Sequence, residues 1–113
     1  MSRAIQRAGF FIADFERQFA WYADKAGDEM AGKFQVALDV ALQKLSRLPD
    51  LGQIRHFQHP KLQNLRSYRV ERPFDKLLIF YRVEGDFLQA VRLMHGSRDL
   101  PRRLSEPPNS PAH

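Results

Sequence analysis

From Phe10 onward, apolar residues recur at three- and four-residue spacing. Ile12, Phe15, Phe19, Tyr22 and Ala26 mark one face of a helix, and Phe11 and Trp21 widen the stripe. Gly27 supplies a stop, and Asp28 a side-chain oxygen expected to cap the next helix. That second helix has the clearest signal in the chain. Met30, Phe34, Ala37, Leu38, Ala41, Leu42, Leu45 and Leu48 form one stripe, while Lys33, Gln35, Asp39, Gln43, Lys44 and Arg47 fall mostly outside it. So short a connection makes the helices antiparallel, an αα-hairpin with one shared apolar side. Pro49-Asp50-Leu51-Gly52 then ends the helix, because proline cannot continue it and glycine suits a turn.

The later pattern has period two. Leu65 to Arg72 alternates, with Arg66, Tyr68, Val70 and Arg72 on one face and Leu65, Ser67, Arg69 and Glu71 on the other. Pro73-Phe74-Asp75 reads as a turn. Lys76 to Val83 is nearly continuous apolar sequence, as expected of a central strand buried on both faces. Glu84-Gly85-Asp86 signals a tight hairpin, and Phe87 to Met94 returns as a further strand. Gln53 to Asn64 shows no period and reads as a loop, and Ile5 sits in a weak candidate for a short N-terminal edge strand. The predicted fold is α+β in the order β-α-α-β-β-β, with the αα-hairpin packed on one face of an antiparallel sheet of three to four strands. The other face or its rim then carries the basic residues. Residues after Pro101 read as tail. The expected single domain runs over residues 1–104, with 105–113 a disordered tail rich in proline.

Composition narrows the function classes. A chain of 113 residues with 43% hydrophobic and 27% charged residues has enough length and apolar content for one soluble core. It contains no cysteine, which excludes disulfides and thiol catalysis. No apolar run approaches the roughly 20 residues of a membrane span, and the first residues lack the apolar core of a secretory signal. The expected compartment is therefore the cytoplasm.

The net charge of +5 lies in the second half of the chain. Residues 1–50 carry seven Lys/Arg and seven Asp/Glu, whereas residues 51–113 carry eleven against six. Between Leu51 and Arg82, seven basic residues (Arg55, Lys61, Arg66, Arg69, Arg72, Lys76, Arg82) face only Glu71 and Asp75. Such a patch predicts an acidic partner, either nucleic acid, a phosphate-rich assembly or an acidic protein segment. His56 and His59 lie in a loop without Cys or a nearby carboxylate, which favours an exposed or phosphate-facing pair over metal ligands, so no metal or cofactor is expected. The last strand stops at His95-Gly96-Ser97-Arg98-Asp99, placing polar chemistry at the end of a rigid element. There Asp99 could pair with an arginine and His95 could satisfy backbone groups, a structural role set beside direct contact.

Leu65-Arg66-Ser67-Tyr68-Arg69-Val70, Leu78-Ile79-Phe80-Tyr81-Arg82-Val83 and Val91 through Leu100 resemble the RelE/ParE superfamily of bacterial type II toxins, most of all in the strand that ends His-Gly-Ser-Arg-Asp. The resemblance runs from Ile5 to Leu100. It implies a small cytoplasmic toxin blocked by a cognate antitoxin protein. RelE-like members cleave mRNA on the ribosome with strand-borne basic residues and a C-terminal tyrosine. Laid on that pattern, Arg69 and Arg98 fall where basic residues are expected, and His95 is a further candidate. Glu71 stands in place of a lysine, Leu78 in place of an arginine and Leu104 in place of the tyrosine. A carboxylate facing a phosphate repels it.

ParE-like members share the scaffold without the nuclease set and poison DNA gyrase, and this branch is the better likeness. It implies a gyrase-binding inhibitor in which Arg66, Arg69, Arg72, Arg82 and Arg98 contact target or antitoxin and no residue is catalytic. A ribosome-dependent endoribonuclease and a non-toxic antitoxin-binding member are the alternatives. A homodimer and a toxin-antitoxin heterotetramer both stay open.

Overall fold

The computed structural model describes residues 2–96 and 100–108. Its elements run β1 (Ala4–Arg7), α1 (Gly9–Ala26), α2 (Asp28–Arg47), a 3₁₀ turn (Pro49–Leu51), β2 (Gln53–Ile54), a second 3₁₀ turn (Pro60–Leu62), β3 (Arg66–Arg69), β4 (Leu77–Glu84), β5 (Phe87–His95) and α3 (Leu100–Ser105). The five strands form one sheet ordered β1-β5-β4-β3-β2, so β4 is central, as its apolar run predicts. β1 pairs with β5 in parallel, and the other pairings are antiparallel. The architecture is α+β. The sheet gains β2 over the expected count, because Gln53 and Ile54 lie opposite Ser67 and Arg66 and continue the ladder. A two-residue edge strand carries too little pattern to stand out in sequence.

The helical hairpin turns on one residue. Gly27 has φ +95° and serves as the last cap of α1 and the first of α2, a backbone state that glycine adopts without a Cβ clash. Asp28 lies inside α2 and its side chain caps nothing. The buried face of α2 carries Phe34, Leu38, Leu42 and Leu45 as the spacing predicts, but Leu48 is exposed. On α1 the stripe is rotated from the expected line. Phe11 is buried, whereas Ile12 and Trp21 face solvent. The reason lies at Asp14, a carboxylate inside the buried face that pattern reading treats as polar and therefore outward.

Two cores flank the sheet. Phe11, Phe34, Leu38, Leu42 and Leu45 pack on Val70, Leu77, Ile79, Tyr81, Leu88, Ala90 and Leu93. Phe74, in the turn after β3, swings into this core, with its ring centroid 5.3 Å from that of Tyr22 and 5.6 Å from that of Phe34. The opposite face is covered by a second cluster of Leu62, Leu65, Leu78, Phe80, Leu100 and Leu104. Residues just after Pro101 are therefore part of the fold, since α3 buries Leu104 at 3% exposure. Residues 109–113, the end of the expected tail, lie outside the described residues. Among the described residues, no helix is long and apolar enough to cross a membrane.

A β-bulge orders the second face. Tyr81 pairs with Ala90 but Phe80 pairs with Arg92, so Val91 is the extra residue. From that point the side-chain alternation of β5 shifts by one, and Arg92 leaves the hairpin side and joins the α3 side.

Candidate functional site

Arg92 is the largest fully buried side chain, at 2% exposure. Its Nε and Nη2 donate to Asp14 Oδ2 and Oδ1 at 2.8 and 3.1 Å. Its Nη1 donates to the carbonyls of Arg103, Leu104 and Glu106 at 3.1, 2.9 and 2.6 Å. Those acceptors sit at and just beyond the C-terminal end of α3, where carbonyls run short of intrahelical partners, although Arg103 O also accepts from Glu106 N–H at 3.2 Å. Asp14 Oδ2 also accepts from Leu93 N–H at 2.9 Å. The ladder between β1 and β5 ends with Ala8 N–H on Ala90 O, so Asp14 satisfies the sheet edge where β1 gives way to α1. The Phe10 ring covers the guanidinium at 5.3 Å. Sequence reasoning missed this pair, although an arginine within an apolar strand and a carboxylate between Phe11 and Phe15 are its signals.

The arginines expected to form a site are distributed over both faces. Arg66 points to the hairpin side, where its Nη1 donates to Gly52 O at 2.8 Å and its Nη2 lies 3.4 Å from Asp50 Oδ1. Beside it, Tyr81 OH donates to Pro49 O at 2.6 Å and accepts from Gly52 N–H at 2.9 Å. An added Cβ on Gly52 would stand 2.3 Å from that hydroxyl, so only glycine fits here. Burial raises the Tyr81 phenol above the ordinary tyrosine range, although the Gly52 hydrogen bond and Arg66 oppose the shift. Tyr81 is thus a structural strut whose hydroxyl is held by Pro49 O and Gly52 N–H.

Arg69 lies on the α3 side and donates to Asp75 O. Arg82, on the same side, donates to Lys61 O at 2.9 Å and lies 3.9 Å from Glu84, while its Nε is buried without a partner among the described residues. Arg55 joins them through Ser67 Oγ at 2.8 Å and the Phe80 ring at 5.9 Å. Arg72 is exposed and borders a separate groove with Met30, Val36 and Phe74. Arg98 and Asp99 lie outside the described residues. His95, at the end of β5, titrates below the ordinary histidine range because of partial burial and then the charges of Lys76 and Arg103. His56 and His59 are exposed, and His59 Nδ1 accepts from Lys61 N–H at 3.1 Å. Among the described residues, no three His, Asp or Glu side chains gather to hold a metal ion.

A family model for the ParE toxin of type II toxin-antitoxin system, parDE, matches the chain over residues 9–100. The chain belongs to the ParE toxin family. A solved structure of the chromosomal ParDE TA system from P. aeruginosa shares the fold with TM-score 0.68 and 20% sequence identity, covering 85% of this chain and 98% of that chain. No curated protein matches the chain by sequence. In this ParE-family chain, the three positions that depart from the nuclease pattern have clear places. Glu71 is exposed in the turn after β3, whereas Leu78 and Leu104 are buried together at 4% and 3% exposure.

Proposed function

We propose that this chain is a toxin that acts by binding DNA gyrase in the cytoplasm and is neutralised by a cognate antitoxin, with residues 1–104 acting as one domain. The observation that carries this reading is the second core. Where the RelE pattern asks for an arginine and a tyrosine, Leu78 and Leu104 instead pack against Leu62, Leu65 and Phe80. Aliphatic side chains offer neither a cation for a scissile phosphate nor a proton for a leaving group. The remaining tyrosines do not substitute for the missing one. Tyr81 is committed to Pro49 and Gly52, Tyr22 packs among Trp21, Phe34 and Phe74, and Tyr68 is partly buried against the main core on the hairpin side of the sheet.

Under this reading Arg66, Arg69, Arg72, Arg82 and Arg98 are recognition residues. A guanidinium suits the task because it keeps its charge and presents several donors in a fixed plane. The match to the ParE family and the likeness to a ParDE system support an antitoxin as a protein partner of this chain.

A gyrase supercoiling assay with antitoxin-free protein, run beside a translation reaction in which mRNA is followed, tests the reading. Loss of supercoiling with cleaved DNA trapped and mRNA intact is the expected result. Normal supercoiling with mRNA cut at codon boundaries would replace it with ribosome-dependent cleavage, in which Arg69, Arg98 and His95 become the residues to test. Absence of both effects would leave an antitoxin-binding protein without a toxic activity.

A further inference from the structure

The rim between the end of α2 and the sheet is a second place where charge and apolar surface meet. Arg3, Arg47 and Arg66 surround an open cavity of about 640 Å³ whose floor and walls include Leu48, Leu51 and Val83. Three separate elements bring the arginines together. Arg3 N–H donates to Ser46 O at 2.9 Å, which ties the start of β1 to the last turn of α2, where Arg47 stands. Arg66 reaches the rim from β3 and is held there by the carbonyl of Gly52. Leu48 and Leu51 are 56% and 47% exposed, and Ile54, opposite Arg66 in the ladder, is 51% exposed. The main apolar core does not use these side chains.

The charge balance selects the sign of the ligand. Asp50 contributes one negative charge and is already beside Arg66 at 3.4 Å. The C-terminal end of α2 adds about half a negative charge, which part of the Arg47 charge offsets. Three guanidiniums against these leave an excess of about 1.5 positive charges at the rim. Neither Arg3 nor Arg47 has a carboxylate within salt-bridge distance among the described residues. The lining has no aromatic side chain, so it offers no stacking platform for an exposed base. Aliphatic side chains between arginines instead suit a polypeptide that alternates acidic and apolar residues.

We infer that this rim is a docking site for an acidic segment of a partner protein, with its carboxylates on Arg3, Arg47 and Arg66 and an aliphatic side chain between Leu48, Leu51 and Val83. The inference rests on the reading that the chain works by binding proteins, and it names the chemistry of what is bound at one surface. It gives a place to arginines that pattern reading left in the charge-neutral first half of the chain.

Fluorescence anisotropy with a short labelled peptide alternating glutamate and leucine tests it. The Arg3→Glu/Arg47→Glu variant changes two side chains that hold no internal hydrogen bond among the described residues, and circular dichroism confirms its fold. Expected are saturable binding by the unaltered protein, a loss of roughly tenfold or more in the double variant, and a similar loss when serine replaces leucine in the peptide. Val36→Glu, in the separate groove beside Phe74, should leave binding unchanged. No saturable binding, binding indifferent to the double variant, or equal competition by a single-stranded oligonucleotide would overturn the inference. The gyrase assay on the same preparations keeps the two readings apart. Peptide binding without gyrase inhibition removes the target and keeps the rim, and inhibition without peptide binding does the reverse.

Discussion

Asp14 and Arg92 form a buried ion pair in which both charges are supplied with partners: the carboxylate accepts from three donors, and the guanidinium reaches three further carbonyls. Removing one member of such a pair typically costs about 3–5 kcal/mol, because the other is left charged and dry. Asp14→Ala is expected to lose stability in that range by urea denaturation. Asp14→Leu combined with Arg92→Met should lose less than the two single changes together, since no lone charge remains, although Leu93 N–H and the carbonyls of Leu104 and Glu106 lose the partners they have here. His95 gives a pH dependence of known sign. Its folded value lies below the unfolded one, so the unfolded chain binds more protons between the two. The His95 contribution to stability therefore falls as pH drops below about 6.5 and levels off below the folded value. Thermal midpoints measured between about pH 7.5 and about pH 5 should fall less in His95→Gln than in the parent protein.

At the scale of elements, α3 is the piece whose attachment depends on others. It has six residues, too few to hold a helix in water alone, and it is held by Leu100, Leu104 and the Arg92 side chain at its end. Leu104→Ala is expected to cost about 2–5 kcal/mol, the usual range for emptying a buried leucine site. The loss should be uneven. Amide exchange should speed up in α3 and around Leu62, while the amides of α2 beneath Phe34 and Leu42 retain more of their protection. The helical hairpin behaves differently because its apolar stripe packs on the sheet along its whole length, and the single connecting residue, Gly27, leaves little freedom in how the two helices meet.

Across the whole molecule, the sheet is a partition. The hairpin covers one side, and α3 with the second 3₁₀ turn covers the other, so the basic residues of β3 are sent to opposite sides by the strand alternation itself. Arg66 is fixed by Gly52 and Asp50, whereas Arg69 bonds to Asp75, and the two share no partner. If the chain inhibits gyrase as proposed, the contributions of these two arginines are therefore expected to be independent. Arg66→Ala and Arg69→Ala should combine additively in free energy, within about 0.5 kcal/mol, in a titration of supercoiling activity. A strong departure from additivity would mean that one ligand wraps the edge of the sheet and feels both residues at once.

The helical hairpin, the central strand and the final β-hairpin were legible in the chain because each repeats its apolar residues with one period over several turns or strand pairs, as in Phe34 to Leu45 and Leu77 to Tyr81. The family likeness was legible as a resemblance in local motifs rather than in periodicity, above all in the strand that ends His95-Gly96-Ser97-Arg98-Asp99. Tertiary structure decided what depends on partners distant in sequence. Whether Asp14 points inward depends on Arg92, 78 residues later. Whether Arg92 belongs to the hairpin side or the α3 side depends on one extra residue at Val91. Leu100 and Leu104 become core only because Leu78 and Phe80 present an apolar face for them to cover. The rim of Arg3, Arg47 and Arg66 likewise exists only after β1, α2 and β3 have met. Periodicity reports the face a residue prefers when its neighbours are averaged, whereas ion pairs, bulges and converging charges are set by single contacts that an average cannot contain.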